Sequence, residues 1–173
     1  FVQYNLDFPN DIWQVAYERQ IDEEARLLLQ TLFSIGSNAA HAVLKTAFEA
    51  RVDYEVENCG LQRSGNAFYS SVKLLLDGFI VHRRRPGMDG DYSFINPSVA
   101  DYFVEYFSRD ENEKWRVLES AVFVEQLVER FGVSTTSPIC IEESEEQARY
   151  LSLVITRAST LRAAKGTTVE LQL

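Results

Sequence analysis

At 173 residues the chain is long enough for one ordinary domain or two small ones, and an apolar fraction of 46% with 25% charged residues predicts a folded product with a sizeable core. A net charge of −9, from 26 acidic against 17 basic side chains, disfavours a surface built to coat phosphates, because such affinity comes from cationic contacts that release counterions. No run approaches the roughly 20 apolar residues that cross a bilayer, so no membrane partner is expected.

In chain order, Pro9-Asn10-Asp11 opens a first helix that runs to about Gln20, with Ile12, Trp13, Ala16 and Tyr17 on one apolar face. A second opens at Asp22 with Glu23 and Glu24 at the positive end of its dipole, carries Leu27, Leu28, Leu32, Phe33 and Ile35, and stops at Gly36. A third is expected from Ser37 or Asn38, with Val43, Leu44, Ala47, Phe48 and Val52 at helical spacing. After Cys59-Gly60, a fourth places Phe68, Val72, Leu75 and Leu76 on a core-facing stripe and ends at Gly78.

The periodicity then changes. Residues 79–81 alternate into the basic run His82-Arg83-Arg84-Arg85, residues 86–91 form a dense turn signal, and residues 92–95 alternate again, so a hairpin with a loop of several residues is predicted. Asn96-Pro97 opens the next helix, since the residue before proline is pushed to the extended geometry an N-cap needs and proline suits the first helical position. Its apolar face is Val99, Tyr102, Phe103, Tyr106 and Phe107. A longer amphipathic helix is expected over residues 113–132, with Trp115, Leu118, Val122 and Val128 on its buried side. A Ser/Thr-rich linker follows over 133–138, then a final helical pattern over 142–164, basic at Arg157, Arg162 and Lys165 and closed by Gly166.

Helices, then a β-hairpin, then a capped helix outline a mainly α chain: a winged helix, with one β-hairpin, followed by a helical bundle. The expected division is a linker and entry helix over 1–21, the winged-helix domain over 22–107, and a C-terminal helical region over 108–173. The hairpin is expected to pack on Leu28, Leu32, Val43, Leu44, Phe68, Val72 and Leu76. Cys59 and Cys140 lie far apart without ligand spacing, which implies free, buried thiols in a reducing compartment, and hence the cytoplasm. The first eight residues carry neither an initiator Met nor the pattern of a signal peptide, so the chain reads as part of something longer.

The catalytic inventory is negative: no phosphate loop, GxGxxG turn, HExxH helix or GxSxG elbow occurs, and no catalytic or metal-ligating residue is assigned. His41 reads as a structural residue of an apolar helix and His82 as part of the basic run. Glu142, Glu143, Glu145 and Glu146 sit where a helix start favours acids, and Asp89, Asp91 and Asp101 are placed in solvated turn surroundings. One constellation could bind nucleic acid. In a winged helix, Gln62, Arg63, Asn66, Ser70 and Lys73 would face bases while Arg83, Arg84 and Arg85 met phosphates. Asp77, Asp89 and Asp91 beside them, with the acidic total, oppose it.

Three stretches resemble the segment that follows the nucleotide-binding core of the novel STAND NTPases, prokaryotic signalling ATPases related to AP-ATPases and NACHT proteins. They are Asn10-Asp11-Ile12-Trp13 with Ala16-Tyr17-Glu18-Arg19-Gln20-Ile21, Glu24-Ala25-Arg26-Leu27-Leu28-Leu29, and residues 94–103, which contain Asn96-Pro97-Ser98-Val99-Ala100-Asp101. The likeness spans about residues 8–107. It implies a regulatory arm that holds an upstream NTPase closed until a downstream sensor releases it, often in antiphage defence. The implied partners are those two domains of the same chain, with oligomerisation of the parent. ATP or ADP and Mg are implied for the parent and no cofactor for this segment. The family places a histidine that reads nucleotide phosphate before the Asn-Pro pair. Here that position is Ile95, which cannot donate a hydrogen bond, so Ile95 and Asn96 mark the nucleotide-facing position while Asn96 is also a helix cap. A DNA-binding regulator and a protein-interaction scaffold are the alternatives, the latter signalled by an exposed apolar patch on the helix from Glu113 or on the last helix.

Overall fold

A computed structural model describes residues 9–85 and 87–164, and leaves the side chains of 9–11, 85 and 88 undescribed. Its elements are α1 (Pro9–Arg19), α2 (Glu23–Ser34), β1 (Asn38–Ala40), α3 (His41–Cys59), α4 (Ala67–Leu75), β2 (Ile80–Arg85), β3 (Met88–Phe94), α5 (Pro97–Arg109), α6 (Glu111–Glu119), α7 (Glu125–Val128), β4 (Phe131–Gly132), β5 (Ile139–Cys140) and α8 (Ser144–Arg157).

The start of α2 is fixed by Asp22, whose side chain accepts from the Ala25 amide at 2.8 Å. Its end is a Schellman turn: Gly36 at φ 110° and Ser37 at φ 68° send their amides back to the carbonyls of Phe33 and Leu32. That reversal explains the first departure from expectation. Residues 38–40 form β1, pairing antiparallel with β3 as Asn38↔Ser93, Ala39↔Tyr92 and Ala40↔Asp91, and the helix expected from Ser37 or Asn38 begins at His41. Two alanines favour helix locally, but the open edge of β3 offers hydrogen bonds and a buried seat for Ala39, and tertiary context overrides propensity.

Helix α4 buries Phe68, Val72 and Leu75. Leu76, expected in the core, is 36% exposed because the backbone leaves the helix there at ψ 139° and turns the side chain off the stripe. Val43 is only half-buried. The expected loop of several residues is also corrected: β2 and β3 pair from Ile80↔Phe94 to Arg85↔Met88, so the strands reach residues 85 and 88, and Pro86 lies outside the described residues. The turn-forming residues 88–91 are absorbed into β3 through a register shift between Arg83 and Arg85, opposite Gly90 at φ 82°. The order α2-β1-α3-α4-β2-β3, with strands lying antiparallel as β1-β3-β2, is a winged helix.

Helix α5 starts as expected, with Pro97 in the first turn and Asn96 accepting from the Ser98 amide at 3.0 Å. Beyond it the long helix expected over 113–132 is broken. Helix α6 stops at Glu119, and the Gln126 side chain accepts from the amides of Val122 and Phe123 at 3.0 and 3.1 Å, holding a turn before the single turn of α7. Phe131↔Ile139 and Gly132↔Cys140 then pair in parallel. The final pattern is helical only over α8, and the expected stop at Gly166, with Lys165, lies outside the described residues. Neither cysteine is buried: Cys59 ends α3 exposed beside the left-handed Gly60, and Cys140 is half-buried. One continuous buried cluster, from Tyr17 to Val154, joins the entry helix, the winged helix and the C-terminal region.

Candidate functional site

Two of the stretches that carry the family resemblance meet at the base of the hairpin. Trp13 Nε1 on α1 donates to Ser98 Oγ at 2.9 Å, and Ser98 Oγ donates to Asn96 Oδ1 at 3.0 Å. The Trp13 ring lies 5.4 Å from Phe79, where the hairpin begins, and the Ile95 amide donates to the Phe79 carbonyl at 2.9 Å. Farther along α1, Tyr17 packs against Tyr102, Phe103 and Tyr106 of α5 at centroid distances of 5.6, 5.4 and 5.3 Å. Asn96 thus spends its carbonyl on capping α5 and on Ser98. Ile95 is 43% exposed and offers packing surface without a polar atom.

The residues assigned to a nucleic-acid surface are only partly assembled. The loop before α4 is strapped down: Arg63 pairs with Asp53 at 2.5 Å, and Ser64 donates its amide and hydroxyl to Glu24 at 2.7 and 2.6 Å. Asn66 sits at the cap of α4 without making a side-chain cap bond. Gln62, Ser70 and Lys73 are exposed, but Tyr69 and Leu74 share the outward face of α4. Arg83 and Arg84 are exposed on β2, while the Arg85 side chain lies outside the described residues.

Sequence reasoning missed a groove of about 550 Å³ between α3, α4 and the hairpin, lined by His41, Tyr69, His82, Arg84, Asp89 and Tyr92. It brings both histidines to one tyrosine. His82 stacks on Tyr92 at 4.6 Å, and His41 Nδ1 lies 3.3 Å from the Tyr92 hydroxyl. His82 Nε2 is 2.9 Å from the Asp89 carbonyl, which can only accept, so Nε2 carries the proton. Burial first, and then Tyr69, raise the Tyr92 hydroxyl above its ordinary pKa. Gly90 makes the stack possible, because a Cβ there would stand 2.6 Å from the Arg83 carbonyl and 2.7 Å from His82 Nε2. Knowing the strand register would have revealed the pair, since His82 and Tyr92 are direct cross-strand partners.

A second missed feature ties the winged helix to α6. Arg51 is 1% exposed and bonds Glu55, Gln30 at 3.2 Å and Glu113 at 3.1 Å. Gln30 continues to the Tyr17 hydroxyl at 2.8 Å, and Arg116 closes on Glu113 at 2.8 Å. The signal lay in spacing: Arg51 falls three and four residues after Phe48 and Ala47, on the buried face of α3. Farther along, Lys114 donates to both oxygens of Glu146 at 3.0 Å, so the one acid of the last helix start that is half-buried is engaged in holding α8.

No family model, curated protein or solved structure matches this chain. Among the described residues no helix is long and apolar enough to cross a membrane, and no group of three or more His, Cys, Asp or Glu side chains is placed to hold a metal ion.

Proposed function

We propose that this chain is the non-catalytic winged-helix and helical arm of a STAND-type signalling NTPase, acting in prokaryotic antiphage defence and controlling a nucleotide-dependent switch by intramolecular contact. The reading is carried by one observation, the bond from Trp13 to Ser98 across 85 residues of sequence. It makes two of the family-like stretches into parts of a single joint. A displacement of α1 by an upstream nucleotide-binding core would be passed through Trp13 to the hairpin base at Phe79 and to the cap of α5. ATP or ADP and Mg belong to that upstream core. At the Ile95 position this arm meets its neighbour by apolar packing, and the Arg51 network carries rigidity onward to α6 and a downstream sensor.

The test is nucleotide retention. Calorimetry with ATP and ADP on this chain alone is expected to give no binding, since a triphosphate needs an amide nest and lysine that the sequence lacks. In the parent protein, Trp13→Phe, which keeps the ring and removes the donor, is expected to change the rate of ADP release, and Ile95→His to slow it. Tight ADP binding by the isolated chain would overturn the proposal.

A protein-interaction scaffold is the second reading, favoured by Leu151 and Ile155, which stand 43% and 63% exposed four residues apart on α8. The DNA-binding reading stands behind it, because Arg63 is already paired and the outward face of α4 is partly apolar. Salt-dependent duplex binding, lost on replacing Lys73, Arg83 and Arg84, would promote it.

A further inference from the structure

We propose that the groove between α3, α4 and the hairpin is a binding site for a small zwitterionic aromatic ligand, a free aromatic amino acid. Its walls, around about 550 Å³, are four rings and two opposite charges: His41, Tyr69, His82 and Tyr92, with Arg84 and Asp89. That volume falls in the range of small-molecule pockets, about 300–1,000 Å³, whose walls are typically rich in rings and carry few polar groups.

The rings form one continuous floor. His82 is stacked on Tyr92 at 4.6 Å, and His41 lies 5.8 Å from Tyr92 and 6.1 Å from Tyr69. Tyr69 is held edge-on by Phe68 at 5.4 Å, yet keeps 49% of its surface open. Two contacts lock the floor in place: the Tyr92 hydroxyl meets His41 Nδ1, and His82 Nε2 donates to the Asp89 carbonyl. Gly90 lets the hairpin pass this close, since a Cβ there would stand 2.7 Å from His82 Nε2. The floor is therefore preformed, and a planar ligand meets aromatic faces without ordering them first.

The charges at the rim select what the ring must carry. Arg84 and Asp89 stand exposed on the two strands of the hairpin and line the same groove, yet neither makes an ion pair among the described residues. Lys45, beside Tyr69, is engaged by that ring at 5.3 Å and by Glu49 at 4.0 Å. A guanidinium takes a carboxylate in a fork of two hydrogen bonds, and a carboxylate takes an ammonium. A ligand with both groups on one carbon beside a planar ring answers the two charges and the floor together. A nucleotide does not, because it brings several negative charges and no cation to a groove that holds one charge of each sign. The site rests on the hairpin geometry and does not depend on the assignment to a signalling NTPase.

The test is calorimetric titration of the whole chain with L-tryptophan and three truncated probes: indolepropionate, which lacks the ammonium, tryptamine, which lacks the carboxylate, and glycine, which lacks the ring. One L-tryptophan per chain is expected to bind, more tightly than indolepropionate or tryptamine by about threefold to fivefold each, as solvent-screened charge pairs give. Glycine should not bind. Arg84→Gln should erase the advantage over tryptamine and Asp89→Asn the advantage over indolepropionate, while Tyr69→Ala should weaken every indole compound by about threefold or more. Replacing Arg19 and Glu57 together by Gln removes one charge of each sign from exposed positions elsewhere and should leave binding unchanged. Indolepropionate or tryptamine binding as tightly as L-tryptophan, an equal loss in the Arg19 and Glu57 variant, or no L-tryptophan bound at millimolar concentration would overturn the proposal. Thermal melts of each variant separate these outcomes from unfolding.

Discussion

Replacing Arg51 by Ala should unlock the contact between the winged helix and α6. The guanidinium is 1% exposed and serves Glu55, Gln30 and Glu113, while Glu55 itself is 2% exposed. After the change Arg116 is the cation left to both acids, 3.7 Å from Glu55 and 2.8 Å from Glu113, beside the neutral donors Cys59 and Gln30, so one cation serves two carboxylates in a poorly hydrated seam. Breaking a buried pair by removing one partner costs about 3–5 kcal/mol, because the other charge stays desolvated. For a chain of this size that corresponds to a fall in melting temperature of roughly 6–20 °C. Urea melts followed by circular dichroism and by the fluorescence of Trp13 and Trp115 measure it. A second variant isolates the cause: Arg51→Met with Glu55→Leu removes both charges and should recover most of the loss. A loss below about 1 kcal/mol for Arg51→Ala would place the pair in the class of solvated surface bridges and refute the reasoning.

The core makes a paired prediction: Phe68→Ala should cost about 3–5 kcal/mol in a denaturant melt, whereas Leu76→Ala, at an exposed position just past the helix, should cost under about 1 kcal/mol. Gly90→Ala should destabilise by about 1–3 kcal/mol, since φ 82° and the Arg83 carbonyl leave no room for a methyl group, and the nuclear Overhauser contacts between His82 and Tyr92 should weaken with it. Burial raises Tyr54, Tyr106 and Tyr150 to about 12, so their contribution to stability is complete below the unfolded tyrosine pKa of about 10 and is lost as pH climbs from there toward 12. An alkaline titration at 295 nm should show several tyrosines ionising late, in step with unfolding. At the acid end, burial pushes the Glu119 carboxyl up, but Tyr54 and Arg149 outweigh it and hold the group below its ordinary value. Stability from Glu119 is therefore present above the unfolded pKa of about 4.3 and drains away as pH falls below it, and Arg149→Ala should flatten that acid limb.

The amino-acid sequence by itself determined what is local. Asp22, Asn96 and Pro97 begin helices, Gly36 and Gly60 end them, and the stripes of α2, α4 and α5 point inward, because capping and periodicity are decided within about one turn of chain. It also placed the hairpin, though not its length, since Gly90 reads as loop until the strand opposite shows it to be a bulge. What only the tertiary structure decided depends on partners distant in sequence. Residues 38–40 became a strand because β3 presented an unpaired edge, and the helix from Glu113 broke because Gln126 competed for its amides. The Trp13–Ser98 joint, the two histidines on Tyr92 and the buried Arg51 were invisible for the same reason. The Trp13–Ser98, His41–Tyr92 and Arg51–Gln30 contacts are polar bonds made across 21 to 85 residues, where no local pattern records which group will supply the missing hydrogen bond, and the His82 stack on Tyr92 depends on the strand register.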